Sequence, residues 1–204
     1  MMNPITELTI ASLRKRGFSV AYFDTAAEAA DYLDRSIDGK TIGVGGSVTL
    51  QEMGLYDKLS THNQMFWHWY ASPDVSMQET HRMAATAQIY LSSANAIAAT
   101  GEILNIDGTG NRVASTLYGH EKVYIVAGVN KIAENYDAAL WRARNIASPK
   151  NAQRLAKKTP CALKGDKCYD CSSPERICRG LVVLWEPMLS METEIVLVGE
   201  SLGY

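Results

Sequence analysis

Residues 18–46 read FSVAYFDTAAEAADYLDRSIDGKTIGVGG, and the order of patterns inside them decides the fold class. FSVAYF (18–23) is short, apolar and β-prone, which predicts a strand. Thr25 then stands three residues before Glu28, a capping-box pattern, and Ala26, Ala29, Ala30, Leu33 and Ile37 follow helical spacing. KTIGVGG (40–46) returns to an apolar strand that ends in glycines. The same alternation continues outward. QIYLSSANAIAATGEILNID (88–107) reads as strand segments broken at Gly101, and KVYIVAGV (122–129) as a buried strand. NYDAALWRARNIA (135–147) reads as a helix, and GLVVLWEP (180–187) and TEIVLVGESLGY (193–204) add strand character. Strands alternating with helices predict an α/β sandwich around a largely parallel sheet, with residues 1–204 as one domain.

Composition narrows the partners. A net charge of −2 with acids and bases interspersed leaves no basic field, so no nucleic acid is expected. No apolar run approaches the roughly 20 residues needed to span a bilayer. The N-terminal segment carries Glu7, Arg14, Lys15 and Arg16 and no apolar core with a cleavage site, so membrane insertion is not expected and the localisation reads as cytoplasmic.

In this fold ligands gather where strands end, so the turns after the strands are the candidate site. IGVGGSVTL (42–50) places Gly45 and Gly46 where backbone can approach a ligand and Ser47 at a helix start; a plain tight turn explains it as well. NIDGTGNR (105–112) crowds Asn105, Asp107, Asn111 and Arg112, which suits a polar substrate or an Asp-Gly turn capped by its own side chains. Lys131, at the end of the buried strand, is placed to contact an anion or to be solvated.

All four cysteines, Cys161, Cys168, Cys171 and Cys178, fall in one segment, 161–178, with the spacing C-x6-C-x2-C-x6-C. Two disulfides in so short a loop would add little to a cored domain in a reducing compartment. Four soft thiolates instead suit a metal centre. Structural zinc sites usually pair two C-x2-C knuckles, whereas here one central C-x2-C is flanked by lone cysteines; a 4Fe–4S cluster therefore suits the spread better than one zinc ion.

Taken together, IGVGGSVTL, NIDGTGNRVA (105–114), VAGVNKI (126–132) and TPCALKGDKCYDCSSPERICR (159–179) resemble the lactate-utilization (LUD) domain, in particular its short members with a C-terminal cysteine motif. The resemblance implies a fold related to the sugar-phosphate isomerases and coenzyme A transferases and a link to oxidation of lactate or a similar acid. It also implies that Ser47 with its glycine loop, Asp107 and Lys131 surround a substrate pocket. Larger relatives carry ferredoxin-type motifs and act with partner subunits, and this chain lacks those motifs.

Other residues have plainer explanations. In MFWHWY (65–70), His68 alternates with Trp67 and Trp69, as a half-buried strand would arrange them. His81 and Arg82 fall on a helix, and His62 and His120 in polar loops. GVGGS lacks the G-x-S-x-G spacing of a hydrolase elbow. Two functions stay open. One is an iron–sulfur component, an oxidoreductase subunit, whose partners are a small anionic organic acid or redox subunits, with a homo-oligomer left open. The other is a small-molecule-binding or isomerase-like domain whose cysteines hold structural zinc, working through Ser47, Asp107 and Lys131. A further expectation joins the halves of the chain: the cysteine centre faces the same end of the sheet as these pocket loops.

Overall fold

The computed structural model describes residues 2–204. Helix α1 (Pro4–Lys15) is capped by Asn3, whose side chain accepts the Ile5 amide at 3.2 Å. Strand β1 (Ser19–Phe23) leads to α2 (Ala26–Ser36), where both halves of the Thr25–Glu28 capping box form. The chain runs on through β2 (Thr41–Val44), α3 (Val48–Glu52), α4 (Leu55–Leu59), β3 (Gln64–Trp67), α5 (Met77–Ala85) and β4 (Ile89–Ser92). After β5 (Ala96–Ala98) and β6 (Ile103–Asp107) come α6 (Asn111–Ser115), β7 (Lys122–Gly128), β8 (Ile132–Ala133) and α7 (Tyr136–Arg142). A π-helical stretch, Ala143–Ala147, joins α7 to α8 (Ser148–Arg154); α9 (Pro160–Lys164), β9 (Gly180–Leu184) and β10 (Glu192–Val198) complete the order.

Six strands form one all-parallel sheet in the order β1-β10-β7-β4-β2-β3. Its central strands are apolar on both faces, as a covered parallel sheet requires. Tyr124, Val126, Val196 and Val198 face a core with Leu33 and Leu50 of α2 and α3. Val123, Ile125, Ile195 and Leu197 face the opposite core with Ile10, Leu13, Ile97 and Ile103. Leu33 is fully buried, and truncating such a leucine to alanine costs about 2–5 kcal/mol.

The expectation of a largely parallel sheet holds for these six strands, but a second sheet lies beside them. Its order is β8-β5-β6-β9, with β5–β6 and β6–β9 antiparallel and β5–β8 parallel. The short turn through Thr100 and Gly101 leaves no room for a crossover, so β5 and β6 must run antiparallel. The outer face of this sheet packs Ala96, Ala98 and Leu104 against Ala139 of α7.

The chain reverses its direction of travel across the large sheet between β2 and β4. From β2 it passes outward to β3, then returns to β4 on the other side of β2 and continues to β7 and β10. A crevice opens outside the carboxyl ends of strands at such a reversal.

Candidate functional site

A cavity of about 650 Å³ fills that crevice. Five of the six parallel strands contribute to it through the residues that follow them: Gly46 to Thr49 after β2, His68 and Trp69 after β3, Ser93 to Asn95 after β4, Lys131 after β7, and Gly203 and Tyr204 after β10. Asp107, Asn111 and Arg112 close it from the second sheet, and the Pro174–Arg179 segment closes it from the cysteine loop. Of the residues expected at the site, Gly46, Ser47, Asp107, Asn111, Arg112, Lys131 and Cys178 all line this one cavity.

Lys131 lies at the floor, 4% exposed. Its Nζ donates to Thr49 Oγ1 at 2.7 Å and to Ser93 Oγ at 2.9 Å, two neutral hydroxyls. Burial, and then the cations of Arg142 and Arg112, pull its pKa down from the usual lysine range to about 7. The lysine is therefore not solvated but held inside with one N–H to spare. Ser47 caps α3 by accepting the Leu50 amide at 3.3 Å, so its own hydroxyl proton is free for a ligand.

Arg112 and Asp107 line the cavity, yet their polar atoms are used within the protein. Arg112 Nη1 donates to Asn105 Oδ1 at 2.5 Å and Ser93 O at 3.3 Å, and Nη2 to Ile106 O at 2.7 Å and Asn95 Oδ1 at 3.3 Å. Its Nε pairs with Asp107 Oδ2 at 3.2 Å. All five guanidinium donors are thus engaged. Asp107 Oδ1 accepts the amides of Thr109 at 3.0 Å and Gly110 at 2.9 Å, which is the self-capped turn weighed for NIDGTGNR. These two residues build the wall and contribute charge; direct donation to a ligand falls to Lys131, Ser47 and Asn111.

Gly45 points away from the cavity. A Cβ there would stand 2.9 Å from Arg112 Cγ and 3.0 Å from the Tyr90 hydroxyl, so its glycine makes room for the arginine and not for a ligand. Gly46 is the one that borders the open space, against the His68 and Trp69 rings.

His68 lies just past β3 and lines the cavity instead of continuing the strand, and His81 of α5 lines it too. Their rings meet edge to face with centroids 4.7 Å apart. Burial first, then His81 and Arg154, push His68 down to about 4, so its ring is neutral at pH 7. The sequence signal was a histidine between two tryptophans, for which a half-buried strand was the expected explanation. His120, expected in a polar loop, is buried and stacked on Tyr90.

The four cysteines are free thiols, each half-buried. Cys161 lies in α9, while Cys168, Cys171 and Cys178 lie in irregular chain. Arg176 ties that chain together: Nε donates to Cys178 O and Nη1 to Cys171 O, both at 2.9 Å, and Nη2 reaches Asp170 Oδ1 at 3.0 Å. Cys168 Sγ accepts the Asp170 amide at 3.3 Å and has Arg144 Nη2 at 3.9 Å. Among the described residues no three His, Cys, Asp or Glu side chains gather closely enough for a single ion. Cys168 and Cys178 instead line a common cavity of about 330 Å³ with Arg144 and Arg176. Cys161 and Cys171 do not line it, so the four sulfurs do not surround one volume.

The segment also touches the pocket. Arg179 N donates to Asp107 O at 2.9 Å, and a Cβ on Gly108 would lie 2.5 Å from Ile177 O, so glycine at 108 permits the close approach. Cys178 stands on the wall shared by the two cavities.

Among the described residues no helix is long and apolar enough to cross a membrane. The family described as the LUD domain matches residues 6–198. A crystal structure of a DUF162 family protein from Deinococcus radiodurans is similar in fold, with a TM-score of 0.54 and 14% identity over 96% of both chains. No curated protein matches the chain.

Proposed function

The chain belongs to the LUD domain family, and on that premise we propose that it binds a small anionic organic acid of the lactate type and serves as an iron–sulfur redox component in that acid's oxidation. The observation that carries the acid is Lys131, a buried lysine hydrogen-bonded only to hydroxyls at the floor of a cavity. Arg112 and Arg142 stand as fixed cations beside Lys131, against Glu52 and the Arg112-paired carboxylate of Asp107. A ligand carboxylate would accept from the spare N–H of Lys131 Nζ and from the Ser47 hydroxyl, while Asn111 holds a neighbouring oxygen.

Cys161, Cys168, Cys171 and Cys178 would hold a 4Fe–4S cluster, which supplies one-electron transfer when bound. Cys178 borders the acid cavity, so a centre on these cysteines would sit beside the substrate, and partner redox subunits would take the electrons onward. A second function has support from Lys131 itself: a lysine titrating near pH 7 can accept and return a proton, as an isomerase-like enzyme with a structural zinc would need.

Anaerobically purified protein discriminates between them. Iron and acid-labile sulfide with broad absorption near about 400 nm, bleached by dithionite, is the result expected for a cluster. Colourless protein with stoichiometric zinc would overturn the redox assignment. Calorimetric titration with lactate tests the acid, and equal affinity in Lys131→Met would remove Lys131 from the site.

A further inference from the structure

Lysines are almost never buried unless a carboxylate pairs with them, and Lys131 has none on its nitrogen among the described residues. Its Nζ is held by two hydroxyls, Thr49 Oγ1 at 2.7 Å and Ser93 Oγ at 2.9 Å. The acids of the neighbourhood are committed elsewhere: Glu52 Oε2 accepts the Gly203 amide at 2.6 Å, and Asp107 pairs with Arg112. Folding alone gives no reason to keep an amine here, since a methionine would fill the same space without burying a charge. An amine withdrawn from water and placed beside the cations of Arg142 and Arg112 is, however, an activated nucleophile, because both conditions favour its neutral form. With a pKa of about 7, about half of it is free amine at pH 7, where an ordinary lysine is almost wholly ammonium.

The surroundings of the nitrogen suit such a reaction. Thr49, Ser93 and Gly203, which stand round Nζ, line the main cavity together with Lys131 itself. A Cβ on Gly203 would lie 3.3 Å from Nζ, so glycine at 203 keeps a side chain off the amine on that side. Ser93 Oγ donates to Thr49 Oγ1 at 3.4 Å, and the two hydroxyls form a chain in contact with Nζ that can pass protons between nitrogen and an attacked oxygen.

We propose that Lys131 forms a Schiff base with a 2-oxo acid, the class of compound that oxidation of a 2-hydroxy acid yields. The lone pair of the neutral amine attacks the keto carbon; a C–N bond forms, and the keto oxygen takes one N–H proton to become a hydroxyl. That hydroxyl then leaves with the second N–H proton as water, and a C=N double bond remains. The oxygen and both protons depart as one water, so nothing is oxidised or reduced. The proposal rests on the acid-binding function above for the carboxylate, which Ser47 and Asn111 hold, and adds a covalent bond that lactate, having no keto group, cannot form.

Trapping with pyruvate and sodium cyanoborohydride at pH 7 tests it on the full chain, since the reagent adds hydride to the imine and leaves a stable secondary amine. Mass spectrometry should show one adduct with the mass of pyruvate less one oxygen atom, and peptide mapping should place it on Lys131. Labelling there should be at least about tenfold faster than at any other lysine, as the larger share of free amine requires. Lys131→Met should lose this adduct, and excess lactate should suppress it in the unaltered protein. No adduct at Lys131, or labelling no faster than at other lysines, in a protein that binds lactate by calorimetry overturns the Schiff base and leaves the acid site standing. Neither adduct nor lactate binding overturns both. An adduct at Lys131 that excess lactate does not suppress upholds the nucleophile and removes lactate from its site.

Discussion

The floor of the cavity and the cysteine segment share a wall at Cys178, yet in the first Arg112 and Asp107 spend their polar atoms within the protein and only Lys131, Ser47 and Asn111 have donors to spare, while in the second all four thiols are free. Arg112 alone ties Ser93, Asn95, Asn105, Ile106 and Asp107 into one network through all five of its N–H groups. In the cysteine segment Arg176 and Arg144 hold backbone oxygens and Asp170, and the four thiols carry no disulfide. One region is fixed by a satisfied network round a few spare donors; the other is braced by arginines round four free thiols. The difference teaches where rigidity resides, because satisfied buried networks fix geometry and free thiols do not.

The sharpest way to break this contrast is Cys168→Ser. Loss of one soft donor from the middle of the segment should abolish nearly all bound iron and make residues 161–178 protease-sensitive, while lactate affinity at the floor stays within about twofold. Unchanged iron and zinc content would show that the thiols are not metal ligands.

Arg112→Met should cost about 3–5 kcal/mol in urea unfolding, because it leaves Asp107 buried beside several acceptors that lose their donor. A loss under about 1 kcal/mol would mean that the floor is not held by this network.

Lys131→Met should do the opposite to stability. The folded-state pKa of Lys131 lies near 7, below the 10.5 of an ordinary lysine, so the unfolded chain holds the proton more tightly. The burden of the buried ammonium is therefore full below pH 7 and fades as pH rises from 7 towards 10.5. Removing it should stabilise the protein by about 2 kcal/mol at pH 6 and flatten the rise of stability with pH across that window, with lactate affinity at least tenfold weaker. Equal stability at pH 6 would place the lysine in water.

The last test needs no mutation. If the acid pairs with the ammonium form, its affinity should be level below pH 7 and fall about tenfold per pH unit above it, measured by calorimetry. A flat profile to pH 9 would take Lys131 out of the contact.

Much of the fold was legible. The capping box at Thr25 and Glu28 forms as expected, and FSVAYF, KTIGVGG, KVYIVAGV and TEIVLVGESLGY all contain strands of the parallel sheet. The mixed sheet was not foreseen, since apolar segments that mark a strand do not say which strand it joins. At the site the segments were legible and the roles were not. Gly45 and Gly46 look equivalent in sequence, but one faces Arg112 and the other the cavity. His68 looked like a strand residue because alternation with tryptophan is what a strand and a strand end both display.

The sequence by itself determined the alternation of strands and helices and the gathering of four thiols in one segment, because those depend on neighbours a few residues apart. Only the tertiary structure decided that Arg112 has no donor to spare and that Lys131 is buried near neutrality. Its hydroxyl partners, Thr49 and Ser93, lie 82 and 38 residues away along the chain. Burial and charge at a side chain are sums over everything packed around it, and no local pattern of residues carries that sum.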